Sequence, residues 1–115
     1  MKPGNYDFII YQGATFSHVL TWKDEAGDPI DLTGYTARLH MRESHDTEDP
    51  FITLTTANSG ITLEGEDGTI TLSISAADTA SIAEAGGTYD LELISGSVVT
   101  RLLQGNVIIS REVTR

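Results

Sequence analysis

The sequence predicts an all-β domain, an antiparallel β-sandwich of short strands with one short crossover helix. Three observations predict it. Apolar and polar residues alternate with a period of two through most of the 115-residue chain, the pattern of half-buried strands. Clusters of Gly, Asp and Pro interrupt these runs at the spacing of sandwich turns. A single alanine-rich stretch, residues 77–85, breaks the alternation. A chain of this length makes one ordinary domain, here residues 1–115, and no repeat or linker divides it. Alternation alone does not separate a sandwich from a barrel.

The elements follow in order. Residues 6–11 are rich in strand formers. Phe16, His18, Leu20 and Trp22 then alternate with Ser17, Val19 and Thr21. Residues 23–28 are polar and lead through Gly27 to Pro29, a turn, and Asp31-Leu32-Thr33-Gly34 makes a second turn. In residues 35–42, Ala37, Leu39 and Met41 face one way, and Thr36, Arg38, His40 and Arg42 the other. A polar, mostly acidic loop covers residues 43–50 and ends at Pro50, which cannot donate to a ladder. Ile52 and Leu54 alternate with threonines. Residues 60–75 read as a hairpin in which Asp67-Gly68 supplies the positive-φ turn. Ser75 is placed as a helix N-cap, with Asp78 where a capping box wants an acid. The helix is expected over residues 77–85, closed by Gly86-Gly87. Tyr89, Leu91 and Leu93 resume the strand pattern, and Gly96 turns the chain into residues 98–104. Gly105 is expected to bulge or bend the chain, and residues 107–113 to form the last strand with Val107, Ile109 and Val113 inward.

Composition narrows the function. Seven Lys and Arg face 17 Asp and Glu, a net charge of −10. Nucleic-acid binding runs on Lys and Arg neutralising phosphates, so neither nucleic acid nor an anionic membrane is an expected partner. With no cysteine, a disulfide framework and a thiolate metal cage are excluded. The apolar run 8–11 is too short for a signal-peptide core or a membrane span, so synthesis in the cytoplasm is expected.

No motif carries chemistry. His18, His40 and His45 show no HxH or HExxH spacing, and the bland reading is solvated or interface histidines. The acidic loops match no EF-hand or nonapeptide calcium pattern. There is no GxSxG, and Gly86-Gly87 follows the predicted helix instead of preceding one as a phosphate loop does. The expectation is a protein that is not an enzyme and holds no cofactor or metal. Trp22 reads either as core or as the end of its strand at an interface. Tyr89, two residues before Leu91, is similar to the tyrosine corner of immunoglobulin-like domains, whose hydroxyl bonds back to the upstream backbone. Its bland reading is the first inward residue of a strand.

Taken in order, the motifs YQGATFSHVLTW, DLTGYTARLHMR, GITLEGEDGTITLSIS, YDLEL and RLLQGNVIISREVT resemble small bacteriophage tail, neck and baseplate proteins with an immunoglobulin-like fold. They look most like the N-terminal domain of phage baseplate upper proteins. The resemblance implies a virion structural role: docking among other virion proteins in rings about a symmetry axis, with the chain made in the host cytoplasm and then carried in the particle. It supplies no catalytic residues. From the residues themselves, acids concentrate between Asp24 and Asp49 and between Glu64 and Glu92, whereas Arg101, Arg111 and Arg115 make the C-terminal part locally basic. Head-to-tail contact between an acidic and a basic end is the docking expectation, with Arg101, Arg111, Arg115, Asp46, Glu48 and Asp49 as interface candidates. The alternative is a carbohydrate-binding or adhesion module using Trp22, Tyr35, Tyr6 and Tyr11.

Overall fold

The computed structural model describes residues 4–112. Among the described residues, nine strands and one helix run in the order β1 (Gly4–Asn5), β2 (Phe8–Tyr11), β3 (Phe16–Thr21), β4 (Thr36–Arg42), β5 (Ile52–Thr55), β6 (Ile61–Glu64), β7 (Thr69–Ile74), α1 (Ala76–Ala80), β8 (Gly86–Ser95) and β9 (Val98–Ser110). They form two sheets. The larger has the order β1-β9-β8-β4-β5, with β2 also on β9, and the smaller has the order β3-β7-β6. Pairing is antiparallel except where β1 and β2 run parallel to β9. Two separate sheets settle the question the alternation left open: this is a sandwich.

The core lies between the sheets, where period-two alternation places it. Ala37, Leu39 and Met41 of β4, Tyr89, Leu91 and Leu93 of β8, and Ile70, Leu72 and Ile74 of β7 are all buried. Each fully buried Leu or Ile contributes roughly 1.5–3 kcal/mol by leaving water. The β6–β7 hairpin forms as expected, and Gly68 at its turn takes φ 64.

Four local expectations are corrected. The first strand is broken into β1 and β2 at Tyr6-Asp7. The Asp7 side chain instead accepts a hydrogen bond from the Asn106 N–H at 2.9 Å. The helix is a single short segment, not residues 77–85: Ser75 caps it, accepting from the Asp78 N–H, and Ser81 closes it. The next residue, Ile82, packs into the core and is 5 % exposed. Gly86-Gly87 is therefore no helix cap. It opens β8, where a Cβ on Gly87 would stand 1.9 Å from the Arg42 carbonyl oxygen, so only glycine admits the close approach of β4. Finally, β9 runs unbroken through Gly105, and the irregularity in its pairing falls between Leu91 and Glu92 of β8, opposite Leu102. Val107 and Ile109 point inward as expected, while Val113 lies outside the described residues.

Tyr89 is a core residue, 4 % exposed. Its hydroxyl donates to the carbonyl of Tyr6 in the N-terminal segment, not to the upstream backbone of a tyrosine corner. Burial, then the nearby Asp7 carboxylate and Tyr6, push its ionisation well above the usual tyrosine range. The helix is tied to the same region. Thr79 is fully buried; its hydroxyl donates to the Ala14 carbonyl at 2.8 Å and accepts from the Gly13 N–H at 3.0 Å.

Candidate docking surfaces

The outward positions of the large sheet carry most of the described cations. Arg38 and Arg42 of β4 and Arg101 of β9 stand there with His40, because they occupy the polar phase of the alternation. Arg38 pairs with Glu92 of β8 (Nε–Oε1 2.7 Å), and Arg101 approaches Asp90 more loosely, at 3.7 Å. Two adjoining hollows open on this face. One, of about 120 Å³, is lined by His40, Arg42, His45, Thr88, Tyr89 and Asp90. The other, of about 270 Å³, shares His45, Thr88 and Asp90 with it and extends to Asn5, Arg101, Gln104 and Asn106. Together they form one polar groove in which two guanidinium and two imidazole groups face one carboxylate. No ion pair involves Arg42 among the described residues.

The acidic counterpart is assembled by the topology. The Trp22 N–H donates to the Gly68 carbonyl, Ile30 to Trp22, and Leu32 to Gly65. These bonds clamp the loop after β3 against the β6–β7 turn. Asp24, Glu25, Asp28 and Asp31 thereby join Glu64, Glu66 and Asp67 at one end of the sandwich, with Lys23 the single cation among them. The Asp31 carboxyl is held below its usual range because it accepts from the hydroxyl and N–H of Thr33. Trp22 and Tyr35 pack edge to face at this end, centroids 5.9 Å apart, and both lean on the core.

The interface candidates named from sequence fall in different places. Asp46, Glu48 and Asp49 lie on the exposed loop after β4, beside His45. Arg101 is on the sheet face, and Arg111 follows β9 beside Gln12, Ala80 and Glu112. Nine residues of strand separate the two arginines, roughly 30 Å at about 3.3 Å per residue. Arg101 and Arg111 thus form no common basic end, and Arg111 lies at the same end of the sheet as the loop bearing Asp46, Glu48 and Asp49, since Arg42, Thr88 and Asn106 share one level of the ladder. Arg115 lies outside the described residues. The sequence reading missed the groove and the 24–31/64–67 pole because both depend on strand order. The outward phase of Arg38, His40 and Arg42 was its one readable trace.

His18 packs against the rings of Tyr6 and Phe8, with centroids 5.0 Å away in each case. Burial there holds its imidazole below the usual range. No group of three or more His, Cys, Asp or Glu is arranged to hold a metal ion among the described residues.

No protein-family model matches this chain. No curated protein matches it either. A solved structure titled Tim-1 is similar over 100 % of this chain and 99 % of that one, with a TM-score of 0.50 and 14 % sequence identity. At that identity the likeness concerns the fold. The chain folds as an immunoglobulin-like β-sandwich.

Proposed function

We propose that this chain is a structural virion protein, a component of a phage tail, neck or baseplate, and that it works as a protein–protein docking module in a symmetric assembly. The observation that carries the docking half is an acidic end set apart from a groove lined mostly by cationic and imidazole side chains. A molecule of net charge −10 gathers seven carboxylates at one end and turns a groove lined by Arg42, Arg101, His40 and His45 outward on its large sheet. Copies related head to tail place the acidic end of one against the groove of the next. Such a heterologous contact closes into a ring when the rotation between neighbours permits. Complementary potentials of this kind set register and exclude wrong partners. The virion half rests on the resemblance of residues 31–42 and 102–107 to phage tail and baseplate proteins.

The docking half is tested by charge exchange. Arg42→Glu weakens association measured by sedimentation, Glu66→Arg does the same, and the two variants mixed together associate again. Association that is indifferent to both substitutions and to salt refutes the electrostatic contact.

A further inference from the structure

A sheet edge invites another strand unless something blunts it. Three of the described edges of this protein are treated differently. The β5 edge is closed by its own turn: the Asn58 side chain donates to the Thr53 carbonyl at 3.0 Å and accepts from the Thr55 N–H at 2.9 Å. Edge strand β6 ends in exposed Glu64. Strand β2, Phe-Ile-Ile-Tyr, carries no charge, no proline and no bulge.

Its free polar groups can be assigned. The Tyr6 N–H donates to the Gln104 carbonyl and the Gln12 N–H to the Ser110 carbonyl. Residues alternate between the two sides of a strand, so Phe8 and Ile10 also bond β9. The N–H and C=O of Ile9 and the N–H of Tyr11 therefore point away from the sheet. The Tyr11 carbonyl already accepts from the Ala14 N–H and has a second lone pair. The side chains here are apolar and exposed: Ile9 50 %, Tyr11 61 % and, paired beside Ile9 on β9, Ile108 55 %.

We infer that β2 pairs antiparallel with β2 of a second copy across a two-fold axis at Ile10, continuing the large sheet from one molecule into the other. Ile9 then faces Tyr11 of the partner copy as a hydrogen-bonded pair, and Tyr11 faces Ile9. Four main-chain hydrogen bonds form, and the Ile108, Ile9 and Tyr11 side chains of the two copies become one apolar strip. A second copy is the occupant because of charge. A two-fold contact sets the same patch of both copies against itself, so a charge within that patch would lie close to its own copy, and residues 8–14 contain no charged side chain in a molecule of net charge −10. The contact is independent of the virion reading and of the charged groove.

Sedimentation velocity on the purified chain, over a concentration series in 1 M salt, tests it. Salt of that strength screens contacts between exposed charges over about 3 Å, so the groove drops out and the β2 contact remains. The expected result is a reversible dimer that is lost in Ile9→Pro, which removes an N–H that β9 does not use, and in Tyr11→Lys, with thermal unfolding showing both variants folded. Should the proline variant fail to fold, the lysine variant decides alone. A parent chain that stays monomeric up to millimolar concentration overturns the inference, as does a dimer that persists in folded Tyr11→Lys.

Discussion

Replacing Tyr89 by Phe removes one hydroxyl and almost no volume, so it isolates the bond that ties the N-terminal segment to the core. The hydroxyl donates to the Tyr6 carbonyl across a sequence separation of 83 residues. Leaving a buried partner unsatisfied costs about 1–3 kcal/mol. Tyr6 is 49 % exposed, so water recovers part of that, and about 1–2 kcal/mol is expected for the variant. For 115 residues, about 2.1 cal/mol/K of unfolding entropy each gives roughly 0.24 kcal/mol/K in total, and Tm falls by about 4–8 °C. The loss is local as well. Hydrogen exchange at the Tyr6 and Asn106 amides, which bond Gln104 and Asp7, accelerates more than at the central β4–β8 ladder. A pH titration gives an independent reading. The folded-state ionisation of Tyr89 is raised, so its contribution is complete below the unfolded value of about 10 and is lost as pH rises beyond it. The parent should lose stability above pH ~10 more steeply than Tyr89→Phe. Calorimetry showing a Tm within about 1 °C of the parent, or exchange that quickens evenly over the whole sheet, would refute the pinning role.

Other perturbations have outcomes of known direction. Thr79→Val keeps the shape but strips the Ala14 carbonyl and Gly13 N–H of their partner, and denaturant titration should show a loss of about 1–3 kcal/mol. Gly87→Ala drives a methyl group into the Arg42 carbonyl; circular dichroism should show a chain that no longer folds cooperatively at ambient temperature. The lowered ionisation of His18 means that its contribution is complete above the unfolded value of about 6.5 and is lost as pH falls through the lower folded value. His18→Phe should therefore flatten the acid limb of a stability–pH curve. Asn58→Ala frees the Thr53 carbonyl, the Thr55 N–H and the Gly60 N–H; light scattering should report more self-association at a lower Tm.

How far these features were legible differs by scale. Where one strand has one buried face, as at Ala37/Leu39/Met41 or Tyr89/Leu91/Leu93, the alternation alone reveals strand and core, and β4 and β8 emerge with their faces assigned. The alanines after Ser75 favour more helix than forms, since intrinsic propensity yields to packing where buried Ile82 follows the helix. Gly86-Gly87 has the composition of a cap, but the Arg42 carbonyl that requires Gly87 is 45 positions away in the chain. The charged surfaces are less legible still. Residues 24–31 and 64–67 meet only because β3 pairs with β7, and Arg42 joins Arg101 only through strands β4, β8 and β9. Summing charge along the sequence puts Arg101 and Arg111 together, and nine residues of extended strand hold them apart.

Quantitative mass spectrometry of purified phage particles tests the proposed virion role. The chain is expected in those particles at a constant copy number that is a multiple of the assembly's symmetry, retained through repeated density-gradient purification. Its absence from particles, or a trace amount that falls with each round of purification, would contradict a structural role in the virion.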